Sequence, residues 1–150
     1  LIRTDRPDIQ EMLACWKWLV GHDKHPLVMT KFGDWFLVDS AGIVHWLDLL
    51  EGTCKPVAAA IDEFQRMMTE PEQIDLWFLG AWCDKLHESR LIPNENECYG
   101  FKIPPKLGAP VELENVEVAN LMAYQVWMAE IAKIPPGTRV DSITVNGKKN

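Results

Sequence analysis

The sequence has few cysteines and no long apolar run, and both shortages exclude classes of protein. Its 150 residues contain no apolar stretch of about 18 residues, so we expect no transmembrane helix. The four cysteines are spread along the chain without a Cys-x-x-Cys pair, which excludes the dense disulfide framework of small secreted domains. The first residues show no basic stretch followed by an apolar one, as a signal peptide would. We therefore expect a reduced, cytoplasmic setting.

Positive charge is also scarce in this sequence. Lysine and arginine together number 15, against 22 aspartates and glutamates, and the net charge is −7. The only dense basic stretch is the pair Lys148-Lys149. Because phosphate groups repel such a chain, we expect neither a nucleic acid nor a membrane as its partner.

The motifs of common catalytic sites are missing. The chain has no Gly-x-Gly-x-x-Gly, no phosphate-binding loop, no Gly-x-Ser-x-Gly elbow and no His-Glu-x-x-His. Its serines are Ser40 in a predicted turn, Ser89 near a predicted helix end and Ser142 near the C-terminus. We therefore predict a protein that is not an enzyme and that needs no cofactor.

The composition is typical of one globular domain. Apolar residues make up 47% of the chain, and a domain of this length buries about 68–70% of its unfolded surface. Runs of helical periodicity stand beside runs of β-branched and aromatic residues, so we predict a single α+β domain over residues 1–150. Its sheet should be mainly antiparallel and should pack against about four helices. The predicted helices are 7–20, 57–68, a helix that is capped by Thr69 or Glu70 and runs to about 91, and a helix over 121–134 that is capped by Asn120. The predicted strands are a three-strand meander (27–32, 35–39 and 43–48) and three further strands at 98–103, 111–118 and 140–145.

The seven tryptophans predict a core more than a ligand-stacking surface. Trp16, Trp77 and Trp127 each fall on the apolar stripe of a predicted helix. Burial of one such side chain is worth about 4–6 kcal/mol before conformational entropy is counted. Trp18 and Trp82 lie at the margins of the stripes, and one of them is expected at an interface.

One pair of residues raises the alternative of a metal-dependent enzyme. Cys83 and His87 lie four residues apart on a predicted helix, which places them on one face and allows them to form half of a tetrahedral zinc site. His22, His25 or His45 would have to complete it. A buried structural cysteine beside a surface histidine explains the same spacing without a metal, and we prefer that interpretation.

Three aspartates at the ends of the meander strands raise a second alternative. Two of Asp34, Asp39 and Asp48, if brought close together, would have one pKa raised and could perform acid–base chemistry. Aspartate is also common in turns for local reasons, and we prefer the turn interpretation.

Acidic residues are concentrated in the middle of the chain. Residues 62–97 contain nine acidic and three basic residues, a local net charge of −6. A solvated helix face explains this concentration most simply. A functional interpretation is a surface that attracts a basic protein partner, because complementary charge raises association rates. The residues predicted to bind this partner are Glu70, Glu72, Asp75, Glu95 and Glu97.

The segment Tyr99-Gly100-Phe101-Lys102-Ile103-Pro104-Pro105-Lys106-Leu107-Gly108, followed by Glu114-Asn115, resembles a known family. It is similar to the C-terminal domain of type VI secretion immunity proteins that neutralise DNase toxins. The segments 32–36, 44–48 and 134–138 resemble that family too, so the likeness covers about residues 27–140. It implies an immunity-type fold and a cognate protein toxin as the partner.

The same segment has a physical interpretation without any chemistry. Gly100 lies between Tyr99 and Phe101, which permits a bulge or a close backbone approach. Pro104-Pro105 with Gly108 predicts a rigid turn that returns the chain to the next strand. We therefore predict a cytoplasmic, non-catalytic binding protein of the immunity type. The alternatives are an enzyme built around Cys83 and His87 and an adaptor protein without a toxin.

Overall fold

The structure is a computed structural model that describes residues 1–135, 144–145 and 148–149. The predicted strand 140–145 is described only at its last two residues, and Ser142 and Pro136-Gly137-Thr138 lie outside the described residues. The helices are α1 (Ile9–Ala14), α2 (Lys17–Val20), α3 (Ile61–Met67), α4 (Pro71–Phe78), α5 (Gly80–Glu88) and α6 (Leu121–Ala132). The strands are β1 (His25–Met29), β2 (Trp35–Val38), β3 (Val44–Asp48), β4 (Thr53–Ala58), β5 (Glu97–Phe101), β6 (Val116–Asn120), β7 (Thr144–Val145) and β8 (Lys148–Lys149).

The strands pair only with antiparallel neighbours among the described residues. Strands β1 to β4 form one sheet in chain order, and β5 pairs with β6 in a second sheet. This confirms the predicted α+β class with a mainly antiparallel sheet. The meander nevertheless has four strands where three were predicted.

The fourth strand replaces the start of a predicted helix. The helix predicted from residue 57 begins at Ile61, because residues 53–58 pair with β3. Pro56 lies within β4 opposite His45. A proline is tolerated there because β4 pairs on one side only, so its missing N–H removes no bond from a central ladder. Pairing with β3 thus overrides the helical preference of Ala58, the first residue of the alanine run.

Two predicted helices are each broken in two, so the described residues form six helices instead of about four. The first, 7–20, is interrupted at Cys15 and Trp16. The other is interrupted at Leu79, which adopts a left-handed conformation with φ 51° and ψ 47°. The break lets Trp77 pack beside Phe36 of the sheet while Leu86 of α5 packs into a separate cluster with Tyr99.

The predicted elements at the C-terminal side are correct in type but shifted in position. The strand predicted at 98–103 is β5, which ends at Phe101, and the strand predicted at 111–118 is β6, which follows a 3-10 turn at Leu113–Asn115. Asn120 caps α6 as predicted, since its side-chain oxygen accepts a hydrogen bond from the Ala123 N–H at 2.9 Å. The N-cap of α4 is Glu70, whose side chain makes no capping bond, followed by Pro71 in the first turn.

Tryptophans supply much of the core, as predicted, with one correction. Trp16 and Trp77 are buried, whereas Trp127 is only half-buried on α6. Trp18 is 46% exposed, with the Lys133 ammonium 5.7 Å from its ring centre. Trp82 is half-buried against Phe32.

Candidate partner-binding surface

The Tyr99-Gly100-Phe101 segment lies in β5 and packs directly against α6. Tyr99, Gly100 and Phe101 are all buried, and the pairing of β5 with β6 runs without a bulge. A Cβ atom on Gly100 would lie 2.6 Å from a ring carbon of Tyr124. The Tyr124 hydroxyl accepts a hydrogen bond from the Phe101 N–H at 3.1 Å. Glycine at position 100 therefore allows the Tyr124 ring, on α6, to lie against the backbone of β5.

The Pro104-Pro105 segment forms a turn after β5. Residues Pro105–Leu107 make one 3-10 turn, which ends at Gly108 with φ 98°. The Asn115 side chain fixes the return of the chain, because its amide donates to the Ile103 carbonyl at 2.8 Å and its oxygen accepts from the Ile103 N–H at 3.2 Å. These residues connect two strands and present no exposed group with an evident chemical role.

The five acidic residues predicted to bind a partner fall into two groups. Glu70, Glu72 and Asp75 are exposed at the start of α4 and along it. Glu95 and Glu97 line a cleft of about 580 Å³ beside the N-terminal segment, and the residues lining that cleft include none of the three acids of α4.

The cleft of Glu95 and Glu97 has mixed charge. Arg3, Arg6 and Lys31 line it together with the acids. The Arg6 guanidinium donates to the Glu95 carbonyl oxygen at 2.7 Å and to the Asn96 side-chain oxygen at 2.8 Å. The negative charge on this side is therefore partly compensated. On α4, by contrast, the sequence Pro71–Phe78 contains two acids and no base.

A smaller cavity of about 240 Å³ lies between the meander and α4. Its walls are largely aromatic and aliphatic, and two carboxyl groups line it. The lining residues are Phe32, Asp34, Trp46, Asp48, Leu49, Leu50, Leu76, Trp77, Leu79, Phe101 and Tyr124. Leu76, on α4, is 60% exposed and marks the rim.

Asp34 and Asp48 both line this cavity, and Asp48 also has the predicted turn role, because its Oδ1 accepts from the backbone N–H groups of Leu50 and Glu51. Asp34 accepts hydrogen bonds from the Trp46 indole N–H and the Leu49 N–H, both at 3.1 Å. Burial, together with the neighbouring charge of Asp48, raises the pKa of Asp34 to about 8. Burial also raises the pKa of Asp48, although the N–H groups of Glu51 and Leu50 oppose this shift.

Asp39 has the predicted turn role and lies apart from this pair. Its Oδ1 accepts from the backbone N–H groups of Ala41 and Ile43, and its Oδ2 lies 2.8 Å from His45 Nε2. The hydrogen bond with His45 lowers the pKa of Asp39. His45, on β3, is thereby engaged with a carboxylate of the turn that precedes its strand.

The candidate zinc ligands are not assembled into a site in the described part of the chain, where no group of three or more histidine, cysteine or acidic side chains could hold a metal ion. The Cys83 thiol is half-buried and contacts the Phe78 carbonyl at 3.6 Å, and burial raises the pKa of this thiol. His87, His22 and His25 are exposed.

Comparison with known families supports the immunity-type interpretation. The family model of the T6SS immunity protein Tdi1, C-terminal, matches residues 58–132, which is half of the chain. The chain belongs to this immunity-protein family. The match confirms the resemblance over β5, the Pro104-Pro105 turn and α6. None of the curated proteins matches the chain.

The part matched to the Tdi1 C-terminal family contains one wall of the cavity but not the other. It runs from the last residue of β4 to the last residue of α6, so it includes Leu76, Trp77 and Tyr124. Asp34 and Asp48 belong to the meander, outside the match.

No helix among the described residues is long and apolar enough to cross a membrane.

Sequence reasoning missed this cavity because its lining comes from loops, strands and two helices that are distant in the chain. The only available signal was the pair of aspartates at strand ends, which turn chemistry explains equally well.

Proposed function

We propose that this chain is a cytoplasmic, non-catalytic immunity protein that binds a cognate toxin and occludes the active site of that toxin. Membership of the Tdi1 C-terminal family is the observation that carries this proposal. The toxin is a nuclease in our proposal, because a protein that acts on DNA needs a basic surface and this chain has a net charge of −7. The same charge supports a protein partner over a nucleic acid or a membrane.

The acids of α4 are the main contact in this proposal. Glu72 and Asp75 are exposed, and Glu72 lies one helical turn before the exposed Leu76. An exposed apolar side chain beside acidic residues is suited to a partner with a complementary basic rim. Glu95 and Glu97 contribute less, because Arg3 and Arg6 lie beside them.

The direct test identifies the candidate toxin from the genes that neighbour this one and uses that toxin, purified with its active site inactivated. We expect the chain to bind it in isothermal titration calorimetry and to protect cells that express the active toxin. The variant Glu72→Lys with Asp75→Lys should weaken both effects at least tenfold.

The matched control is Glu112→Lys with Glu114→Lys, which makes the same charge change on exposed residues before β6. We expect this control to bind like the unchanged chain. No binding of the neighbouring toxin by the unchanged chain would refute the immunity function, and equal losses in the two variants would refute the contact at α4.

A further inference from the structure

The cavity beside α4 holds two carboxyl groups, those of Asp34 and Asp48. Among the described residues, the only cation that acts on them is Lys55, which lies outside the cavity lining and opposes the rise that burial causes in the pKa of Asp48. No salt bridge in the described part of the chain involves Asp34 or Asp48. The carboxyl oxygens of Asp34 accept from the Trp46 indole and the Leu49 N–H. Asp48 accepts through one oxygen, Oδ1, from the backbone N–H groups of Leu50 and Glu51, at 3.0 and 3.3 Å.

The rest of the lining is aromatic and aliphatic. Phe32, Trp77, Phe101 and Tyr124 contribute rings to the cavity, and Leu76 lies at its rim. Ring faces attract cations, and the carboxyl groups that line this largely apolar cavity attract cations as well. The cavity therefore has the chemistry to take up a cation that carries an apolar stem.

We propose that this cavity receives an arginine side chain of the partner protein, held by Asp34 and Asp48 between the aromatic walls. This inference rests on the proposed function and specifies which toxin group the chain recognises. A volume of about 240 Å³ is below the range of about 300–1,000 Å³ typical of small-molecule sites, and it suits one inserted side chain.

Arginine fits these groups better than lysine. Its planar guanidinium carries five N–H donors, so it can bind two carboxyl groups at once, and it stacks on aromatic faces. The position of the cavity also favours a protein partner over a free metabolite. Leu76 at the rim lies one helical turn from Glu72, so the cavity is continuous with the acidic face proposed to meet a basic toxin.

Binding of a guanidinium should release a proton. Burial keeps Asp34 protonated at neutral pH, and an entering cation favours its ionised form. The other titratable groups at the cavity are Asp48 and Tyr124, while Glu51 and Lys55 interact with Asp48. Affinity for the cation should therefore rise as the pH rises from 6 to 8.

The test uses N-propylguanidinium as the probe and N-propylurea as its neutral control. The reporter is the indole N–H signal of Trp46 in a ¹⁵N–¹H spectrum, because this group donates to Asp34. The Trp16 indole, which donates to Gln125 and does not line the cavity, is the internal reference. We expect a saturable shift of the Trp46 signal with the guanidinium, stronger at pH 8 than at pH 6, and no such shift with the urea.

Variants assign the binding to the two carboxyl groups. Asp34→Asn and Asp48→Asn should each lower the apparent affinity at least tenfold, and Asp39→Asn, an acid of the same meander outside the cavity, should leave it unchanged. Asp48→Asn decides the question if Asp34→Asn does not fold. An equal response to the urea, or full binding by both folded variants, overturns the proposal.

The same variants separate this proposal from the proposed function. If the neighbouring toxin binds the unchanged chain and Asp48→Asn equally well, the cavity does not receive a toxin arginine, although the immunity function stands. If the cavity binds the guanidinium and the chain binds no toxin, the immunity function fails and the partner assigned to the cavity fails with it.

Discussion

The Trp16 indole N–H donates a hydrogen bond of 2.7 Å to the side-chain oxygen of Gln125, across 109 residues of sequence. The Trp35 indole N–H donates to the same oxygen at 2.8 Å, and the Gln125 amide donates to the Gly33 carbonyl at 2.8 Å. Gln125 and both tryptophans are fully buried. One polar side chain on α6 thus ties the break between α1 and α2 to the start of β2.

Replacement of Gln125 by leucine should therefore lower the free energy of unfolding. Two buried indole donors and one carbonyl would lose their partner, and each buried unsatisfied group costs about 1–3 kcal/mol. We expect a loss of about 3 kcal/mol or more in the free energy of unfolding, measured by urea denaturation. The control Gln65→Leu, on the exposed face of α3, should stay within about 0.5 kcal/mol. A Gln125→Leu variant as stable as this control would contradict the role of the network.

A methyl group at Gly100 should destabilise the contact between β5 and α6. Its Cβ would lie 2.6 Å from the Tyr124 ring, and overpacking of this kind costs about 1–3 kcal/mol. Thermal and urea unfolding of Gly100→Ala measure this cost. The double variant with Tyr124→Leu, which removes the ring, should lose less on addition of the methyl group. If the methyl group costs the same with and without the ring, the contact is not the cause.

Gly108 should be required for a different reason. Nothing lies within 4 Å of a Cβ built there, but its φ of 98° is strained for any side chain. Gly108→Val should cost about 1–3 kcal/mol in the free energy of unfolding. Gly108→Asn should cost less, because asparagine tolerates positive φ better. Equal stability of the valine variant and the unchanged chain would show that this turn adopts another conformation.

The pH dependence of stability should identify Asp34. Its pKa is raised to about 8 in the folded chain, from an unfolded value near 3.8, so the folded state binds more protons between these values. Asp34 therefore reduces stability as the pH rises from 4 to 8, with a slope of at most about 1.4 kcal/mol per pH unit. Asparagine cannot ionise. Its NH2 group would replace one of the two carboxyl oxygens, so either the Trp46 indole or the Leu49 N–H would lose its acceptor. Asp34→Asn should thus be less stable than the unchanged chain at pH 5, and the difference should shrink by pH 8.

Urea denaturation at pH 5, 6, 7 and 8 measures this trend. A constant difference between the two proteins across that range would mean that Asp34 is ionised throughout. Asp48 has the same sign of shift and stays in both proteins, so it cancels in the comparison if its own pKa is unchanged.

The sequence predicted local elements well where local chemistry determines them. The Asn120 cap, Pro71 in the first turn of α4 and the antiparallel meander follow from side-chain and turn preferences within a few residues. The sequence did not predict the break at Leu79, because leucine rarely adopts a positive φ and neither glycine nor asparagine occupies that position. The fourth strand was missed for another reason, since only pairing with β3 makes residues 53–58 extended.

The site was less predictable than the fold. The five acids form one cluster in the sequence, yet the structure places Glu95 and Glu97 in a cleft with Arg3 and Arg6, a proximity that arises only from folding. The cavity of Asp34 combines residues from the meander, α4, β5 and α6. No spacing in the chain encodes such a convergence.

Association with the toxin should depend on the acidic residues through long-range attraction. Charge reversal at Glu72 and Glu95 together should lower the association rate more than it raises the dissociation rate, because exposed charges act mainly during encounter. The free energy of unfolding should stay within about 0.5 kcal/mol, since both residues are exposed. Stopped-flow mixing with the toxin measures the association rate at 0.1 M and 1 M salt. The screening length falls from about 10 Å to about 3 Å between these concentrations.

The single variants distinguish the two acidic groups. Glu72→Lys should account for most of the lost rate, because α4 contains no base, whereas Arg3 interacts with Glu95 and compensates part of its charge. The difference between the unchanged chain and Glu72→Lys should be largest at low salt and should shrink at 1 M salt, where the exposed charges are screened. A larger effect of Glu95→Lys would place the encounter surface at the N-terminal cleft. A third outcome is that the unchanged chain, the two single variants and the double variant all associate at the same rate. That result would place the encounter surface away from both acidic groups, and the exposed Trp18 would be the next residue to replace.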